Sequence, residues 1–329
     1  MLGRHSPFKP LNDIPDTVGV KLQDLLSLRQ SAKDFKLAIR QQSKSIISGA
    51  SRSNMRGRGM EFAEVRPYRP GDDIRTIDWR VTARTQQTYT KLFEEEKERP
   101  VYILVDQRKA MFFGSQDQFK SVYAAKCAAF IAWCALNNND RIGAMVFSDY
   151  AQRDIRAKRS KKALLAFFHD LQLFNHALAS EDLAKELPLS EQENSLASML
   201  EEVERISKPG SAIYVISDFH DYDKKCNKPL SMLARHNDVN LIRIFDELER
   251  SLPVTGTFKI TNGENTLRFN SGNTKFNHKY TELFDTLHEN IKNDANARNI
   301  RFVSSSTKVQ FLDFVRLHFQ SKTGKRGSF

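Results

Sequence analysis

The chain has 329 residues, of which 40% are hydrophobic and 28% are charged. This composition is typical of a globular protein and excludes a chain that is disordered throughout. No run of about 18 apolar residues is present to cross a membrane. The N-terminal stretch MLGRHSPFKPLNDIPD also lacks the apolar core of a signal peptide. We therefore expect a cytoplasmic protein.

The formal net charge of +11 is concentrated near the N-terminus. Residues 1–60 contain eleven lysines and arginines but only four aspartates. Such an excess favours an acidic partner, a class that includes nucleic acid, anionic lipid and acidic protein surfaces. A solvated surface accounts for the same charge equally well, so both interpretations stay open.

The N-terminal third of the chain differs in character from the rest. Residues 20–47 have the apolar spacing of one or two amphipathic helices, and SGASRSNMRGRG then interrupts the pattern. Further on, PGDD predicts a turn and QTYTKLF predicts a strand. We predict that residues 1–99 form a basic helical arm followed by a charge-dense segment, in front of a larger domain.

Beyond residue 100, apolar strand-like runs alternate with helical stretches. The runs are VYILVD, RIGAMVF, SAIYVIS and NLIRIF, and stretches such as FKSVYAAKCAAFIAWCAL and SLASMLEEVERI separate them. Continuous apolar strands between helices are what a parallel sheet covered on both faces requires. We therefore predict that residues 100–329 form an α/β domain with a doubly wound, mostly parallel sheet.

Two hairpins are expected to interrupt this alternation. Residues 151–157 should return antiparallel to RIGAMVF, and the inserted C-terminal hairpin GTFKITNGENTLRFN carries an Asn-Gly turn signal at Asn262 and Gly263. A long polar helix at residues 276–297, a strand IRFVSS and a closing helix VQFLDFVRLHF are predicted to complete the domain.

The three cysteines do not indicate a metal site, because their spacing is not that of metal ligands. Cys127 and Cys134 lie seven residues apart in a helical pattern. This spacing predicts that both pack as small buried hydrophobic residues.

Four predicted strands end at or next to an aspartate: Asp106, Asp149, Asp218 and Asp246. In open α/β sheets, ligands bind at the carboxyl ends of the strands, and carboxylates gathered there are suited to Mg²⁺. Aspartate is also a frequent helix cap directly after a strand. The pattern is therefore compatible with a hard-cation site and with simple capping.

The sequence contains none of the common catalytic motifs. The chain has no Gly-x-Ser-x-Gly nucleophile elbow, no Walker-type phosphate loop and no Gly-x-Gly-x-x-Gly after the first strand. The eight histidines lack a His-x-x-x-His grouping, and only His220 falls near the predicted strand ends. These observations favour a protein that is not an enzyme.

The stretch from Glu61 to Arg84 is the most distinctive part of the sequence. It interleaves five arginines with five acids and contains no lysine: Arg66, Arg69, Arg75, Arg80 and Arg84 with Glu61, Glu64, Asp72, Asp73 and Asp78. Arginine forms bidentate pairs with carboxylates and phosphates. The stretch is compatible with a self-paired structural network and with a recognition surface, and Trp79 is expected to be its buried apolar anchor.

This stretch, with RGRG before it and FEEEKERPVYILVD after it, closely resembles the bacterial family named domain of unknown function 58. The sections DRIGAMVF, YVISDF and LPVTGTF also resemble that family, so the resemblance spans nearly the whole chain. It implies a von Willebrand factor type A-like domain with strand order 3-2-1-4-5-6 and one antiparallel edge strand. It further implies partnership with a MoxR-type AAA+ ATPase in a chaperone or assembly role.

Type A domains usually hold a metal ion through an Asp-x-Ser-x-Ser motif, a threonine and a later aspartate, and the resemblance implies a degenerate version here. The first motif reads Asp106-Gln107-Arg108-Lys109-Ala110, without either serine. Asn194 or Ser195 stands near the threonine position, and Asp218 matches the last aspartate. The sequence favours pairing of the Arg108 guanidinium with a carboxylate over Mg²⁺ binding.

The leading hypothesis is a non-enzymatic adaptor that binds proteins and needs no cofactor. One alternative is nucleic-acid binding through residues 1–60 and the arginines of the charge-dense stretch. A metal-dependent hydrolase that uses Asp106, Asp218 and Asp246 is a further alternative and has the least support from the sequence.

Overall fold

The structure is a computed structural model, and it describes residues 14–37, 60–95, 99–253, 256–261, 266–270 and 274–321. The helices in these ranges are α1 Leu22–Ala32, α2 Trp79–Thr85, α3 Lys120–Asn137, α4 Lys161–Ala177, α5 Glu181–Ala184, α6 Leu196–Ile206, α7 Asn227–His236, α8 Glu247–Arg250, α9 Thr274–Ala297 and α10 Phe311–His318. The strands are β1 Phe35–Lys36, β2 Met60–Pro67, β3 Tyr89–Glu95, β4 Pro100–Asp106, β5 Arg141–Phe147, β6 Gln152–Lys158, β7 Ala212–Ser217, β8 Asp238–Phe245, β9 Thr257–Thr261, β10 Thr266–Asn270, β11 Arg301–Ser306 and β12 Gln320–Ser321.

A six-stranded sheet organises the α/β part of the chain, in the order β11-β8-β7-β4-β5-β6. All neighbours in it are parallel except β5 and β6, which are antiparallel at one edge. Numbered in chain order, its strands follow the sequence 3-2-1-4-5-6. This confirms the prediction of a mostly parallel α/β sheet. The prediction was possible because strands that are buried on both faces have continuous apolar sequences.

Both faces of the sheet are covered by apolar cores. Side chains alternate along β4, so that Val101, Ile103 and Val105 belong to one core while Tyr102 and Leu104 belong to the other. Helices α1, α3, α4 and α10 contribute to the first core, and α6, α7 and α9 contribute to the second. Packing on both faces therefore fixes the positions of the strand ends.

The predicted hairpins and late elements are present. Strand β6 pairs antiparallel with β5, and β9 pairs antiparallel with β10. The Asn262-Gly263 turn itself lies outside the described residues. Helix α9, strand β11 and helix α10 occupy the predicted positions, and Cys127 and Cys134 are buried as predicted. None of the described helices is long and apolar enough to cross a bilayer.

The chain divides into two compact units: residues 1–39 with 99–329, and residues 40–98. This division differs from the predicted boundary at residue 99, because α1 packs with the α/β unit. Leu25 is fully buried in the first core, and the indole nitrogen of Trp133 on α3 donates to the Leu25 carbonyl at 2.9 Å. Of the helical pattern predicted for residues 20–47, α1 is observed, and residues 38–47 lie outside the described ranges.

The smaller unit contains an antiparallel pair, β2 and β3, whose register shifts between Phe62 and Glu64. Between these strands the chain forms a 3₁₀ turn at Ile74–Thr76 and the short helix α2. Strand β3 contains the predicted QTYTKLF strand from Tyr89 onward. The charge-dense stretch thus comprises most of β2 and most of the connection between β2 and β3.

Replacement of Leu25 by Ala tests whether α1 is part of the α/β core. Loss of a fully buried leucine removes apolar contacts and leaves a cavity, so the free energy of unfolding should fall by about 2–5 kcal/mol. Urea denaturation measures this change. The exposed Gln23→Ala substitution on the same helix is the control and should change stability by less than about 0.5 kcal/mol. An unchanged Leu25→Ala protein would mean that α1 is a detachable arm.

Candidate functional site

The carboxyl edge of the sheet gathers the aspartates that the sequence singles out. Strand β4 ends at Asp106, Asp218 follows β7, and Asp246 follows β8, and these three strands are neighbours in the sheet. All three residues are buried. Asp149 follows β5 and accepts a hydrogen bond from the Lys109 backbone N–H at 2.8 Å. Parallel pairing therefore concentrates negative charge at one edge, and that charge needs compensation.

Arg108 compensates Asp106. Its Nη2 lies 2.8 Å from Asp106 Oδ2, and its Nε lies 3.1 Å from Oδ1. The same guanidinium reaches Asp221, with Nη1 at 2.6 Å from Oδ2 and Nη2 at 2.9 Å from Oδ1. The Ser217 hydroxyl donates to Asp106 Oδ2 at 2.6 Å. Arg108 is buried, and its guanidinium lies 5.2 Å from the centre of the Phe147 ring. One fixed cation therefore serves two carboxylates.

Lys120, in the first turn of α3, compensates Asp218. Its Nζ donates to Asp218 Oδ2 at 2.7 Å and also to Glu249. Although burial disfavours its charge, the two carboxylates raise the pKa of Lys120, so the ammonium stays protonated. His220 contacts the other oxygen of Asp218, with Nδ1 at 2.9 Å from Oδ1. Burial opposes ionisation of Asp218, but Lys120 and His220 hold the pKa of this carboxyl well below its ordinary value.

Asp246 is used as a helix cap, the structural alternative that the sequence left open. Its carboxylate accepts from the Leu248 backbone N–H at 2.9 Å at the start of α8. It also accepts from the Ser115 hydroxyl and from the Thr307 hydroxyl. These hydrogen bonds hold the pKa of Asp246 below its ordinary value despite burial. The carboxylate joins three segments of the chain and is fully buried, so it is not accessible to solvent.

The residues near the expected threonine position also have structural partners. The side-chain amide of Asn194 donates to the backbone carbonyls of Ser148 and Ala151 at 2.9 and 3.1 Å, and so holds the β5–β6 turn. Ser195 caps α6 through a reciprocal pair of hydrogen bonds with Ser198. Neither side chain is directed at the carboxylates by these contacts.

Four charged residues around Asp106 and Asp218 were not predicted from the sequence: Lys120, Asp221, Arg243 and Glu249. Arg243 lies buried on β8, where its Nε donates to the Asp218 carbonyl at 3.3 Å and its guanidinium lies 4.2 Å from the centre of the Phe284 ring. Its Nη1 has no hydrogen-bond acceptor among the described residues. A charged residue inside an apolar strand, RIF in NLIRIF, is the signal that points to Arg243. Lys120 has no such signal, because a lysine in a first helical turn is normally exposed.

A divalent metal does not fit this arrangement. The Asp106 carboxylate is occupied by Arg108 and Ser217, and the Asp218 carboxylate is occupied by Lys120 and His220. Within the described ranges, no three His, Cys, Asp or Glu side chains are grouped to hold a metal ion. Mg²⁺ at Asp106 would have to displace a guanidinium that is bound through several hydrogen bonds.

In the smaller unit, the aspartates of the charge-dense stretch shape the backbone. Asp73 caps the 3₁₀ turn by accepting from the Arg75 N–H at 2.9 Å, and Asp78 caps α2 by accepting from the Arg80 N–H at 3.0 Å and the Val81 N–H at 3.2 Å. These backbone hydrogen bonds, with Lys91 nearby, lower the pKa of Asp78. Gly71 takes a positive φ of 101° in the PGDD turn, a conformation that favours glycine.

The arginines of the stretch divide into one paired residue and a free group. Arg66 pairs with Asp72 at 2.8 Å. The others are exposed and make no side-chain ion pair with any described residue: Arg69, Arg75, Arg80 and Arg84. Trp79, expected to be a buried anchor, is instead 67% exposed, because it occupies the first turn of α2 on the outer face. Of the basic N-terminal region, residues 1–60, the structure describes residues 14–37 and Met60.

Comparison with known proteins matches residues 64–289 to the family described as protein of unknown function DUF58. The uncharacterized proteins Mb1516 of Mycobacterium bovis and Rv1480 of Mycobacterium tuberculosis are each 24% identical over 260 residues, which cover 79% of this chain and 75% of theirs. The uncharacterized protein YeaD of Bacillus subtilis is 41% identical over 44 residues, 13% of this chain and 11% of its own length.

Two solved structures are also similar. The conserved hypothetical protein BatB from Bacteroides thetaiotaomicron is 15% identical with a TM-score of 0.40, over 66% of this chain and 95% of that one. An aerotolerance-related membrane protein from Bacteroides fragilis is 14% identical with a TM-score of 0.39, over 67% of this chain and 98% of that one.

Replacement of Arg108 by Met should leave the buried Asp106 carboxylate and the partly buried Asp221 carboxylate without their cation. The free energy of unfolding should fall by about 3–5 kcal/mol, measured by urea denaturation. In the double variant Asp106→Asn/Arg108→Met the loss should be smaller than the sum of the single losses, since one unpaired charge is removed. The matched control is Arg153→Met, which breaks the more exposed pair with Asp170 and should cost less than about 1 kcal/mol. Equal losses for both arginines would contradict the assignment.

The His220–Asp218 contact predicts a pH dependence of stability. The hydrogen bond to Asp218 and its negative charge raise the pKa of His220. A raised folded pKa contributes stability that is fully present below the unfolded value of about 6.5 and is lost as pH rises through the folded value. The stability difference between the wild type and His220→Asn should therefore be largest near about pH 5.5 and shrink toward about pH 8.5. A difference that stays constant across this range in urea denaturation would refute it.

Proposed function

The chain belongs to the family described as protein of unknown function DUF58, and we propose that it is a non-enzymatic adaptor that binds a protein partner. The observation that carries the proposal is the closed ion cluster at the carboxyl edge of the sheet. At the place where open α/β proteins bind their ligands, the buried carboxylates of Asp106 and Asp218 are each paired with a cation from the chain itself.

A catalytic site requires groups that are free to contact a substrate or to exchange protons. Here Arg108 and Lys120 occupy the oxygens that a metal or a substrate cation would use. Removal of either partner would leave a buried charge unpaired, which is costly. The paired charges therefore have a structural role, and their occupied carboxylates favour an adaptor over the metal-dependent hydrolase.

The groups that remain accessible are of the kind that protein interfaces use. Trp79 and the free arginines of the charge-dense stretch are exposed, and tryptophan and arginine are enriched among the residues that dominate binding energies. The smaller unit thus offers an interaction surface, while the α/β unit provides a rigid scaffold.

The partner we propose is a MoxR-type AAA+ ATPase, in a chaperone or assembly role. This part of the proposal follows from the family resemblance, as does the assignment of the α/β unit to the von Willebrand factor type A-like class. The strand order 3-2-1-4-5-6 with an antiparallel edge supports that class. The cytoplasmic location and nucleic-acid binding by residues 1–60 stay predictions.

Size-exclusion chromatography with light scattering tests the proposal. The full chain is mixed with the MoxR-type ATPase encoded in the same genome, without nucleotide and with ATP, ADP or a slowly hydrolysed ATP analogue. We expect the two proteins to elute together in at least one nucleotide state. Albumin in place of the chain is the control for nonspecific association. Separate elution in every nucleotide state would refute the ATPase as partner.

A further inference from the structure

We infer that the exposed face of α2 is a docking surface for an acidic polypeptide segment; the inference rests on the proposed function and names its binding surface. This α2 face consists of Trp79, Arg80, Ala83 and Arg84. All four residues are exposed, whereas Val81 and Thr82 on the other side of the helix are partly buried. Positions 79, 80, 83 and 84 fall on one side of a helix with 3.6 residues per turn.

The helix that carries this face is stabilised at both ends. Asp78 caps its N-terminus, the Asp78 backbone N–H donates to the Tyr89 carbonyl at 2.8 Å, and the Tyr89 N–H donates to the Thr82 hydroxyl at 3.0 Å. At its other end Gln86 takes the left-handed conformation, with φ of 55°, that ends a helix. The exposed tryptophan is therefore presented on a fixed support, which lowers the entropic cost of binding.

The available charge of the face is positive, although the surrounding sequence is balanced. Arg80 and Arg84 lie four residues apart and are neighbours on the helix surface, where like charges disfavour the helix. No described carboxylate pairs with either side chain. The nearest aspartate in sequence, Asp78, directs its oxygens to backbone N–H groups and to Lys91. Carboxylates of a partner would supply the missing counter-charges.

The same residues favour a polypeptide over a nucleic acid. Of the four residues of the α2 face, two are cations, Arg80 and Arg84. Protein surfaces that bind nucleic acid are much more positive than this, because they neutralise a row of phosphates. An acidic peptide with an apolar residue instead offers separate carboxylates for the arginines and an apolar contact for Trp79.

Fluorescence anisotropy tests the inference with the full chain and a fluorescein-labelled peptide of four Glu-Glu-Leu-Glu repeats. The test variants are Trp79→Ala and Arg80→Ser/Arg84→Ser. Each should weaken binding by about thirtyfold, as expected for residues that dominate an interface. The matched controls are Leu283→Ala, which shortens another exposed apolar side chain, and Arg235→Ser/Arg250→Ser, which removes two other exposed arginines. Both controls should bind as the wild type does.

Three results would overturn the inference: no peptide binding by the wild type, wild-type affinity in both test variants, or tighter binding of a 16-nucleotide oligothymidylate than of the peptide. Circular dichroism and melting curves verify that each variant is folded. The ATPase test separates the two proposals. If the ATPase elutes with the wild type while the peptide does not bind, the adaptor function stands and the α2 face is excluded. If the peptide binds and the ATPase never does, the face stands and the proposed partner is wrong.

Discussion

The bidentate contacts of Arg108 with Asp106 and Asp221 are the interaction on which the carboxyl edge of the sheet depends. Parallel strands place their carboxyl ends side by side, so the aspartates at these ends would repel one another without cations between them. Because the guanidinium is part of the chain, its presence does not depend on the concentration of any ion. Asp221 also accepts from the Leu196 N–H at 2.8 Å, so the same pairing fixes the start of α6.

This constraint explains how the two units differ in what they offer to a partner. At the carboxyl edge of the sheet in the α/β unit, charged side chains are buried and paired with one another. In the smaller unit, Asp73 and Asp78 are directed at backbone N–H groups, and four of the five arginine side chains of the charge-dense stretch are left at the surface. The first arrangement suits a scaffold, and the second suits recognition.

Much of the α/β fold could be predicted from the sequence, because continuous apolar strands, amphipathic helices and hairpin turns are local patterns. The placement of α1 could not, since it involves contacts such as the hydrogen bond between Leu25 and Trp133, which are 108 positions apart in the chain. The burial of Lys120 could not be predicted either, because it depends on Asp218 and Glu249, which are distant in sequence. The capping roles of Asp73 and Asp78 were accessible in principle, because each aspartate directly precedes a helical turn.

The charge-dense stretch shows why formal charge is a poor guide to the charge that a partner meets. Five arginines and five acids suggest mutual neutralisation when only the sequence is counted. An aspartate that caps a helix, however, accepts hydrogen bonds from backbone N–H groups, and its negative charge is partly balanced by the helix dipole. The arginines cannot use the same backbone donors, because they are donors themselves. The positive charge of Arg80 and Arg84 therefore remains at the surface of α2 beside Trp79, although the formal charges of the stretch are balanced.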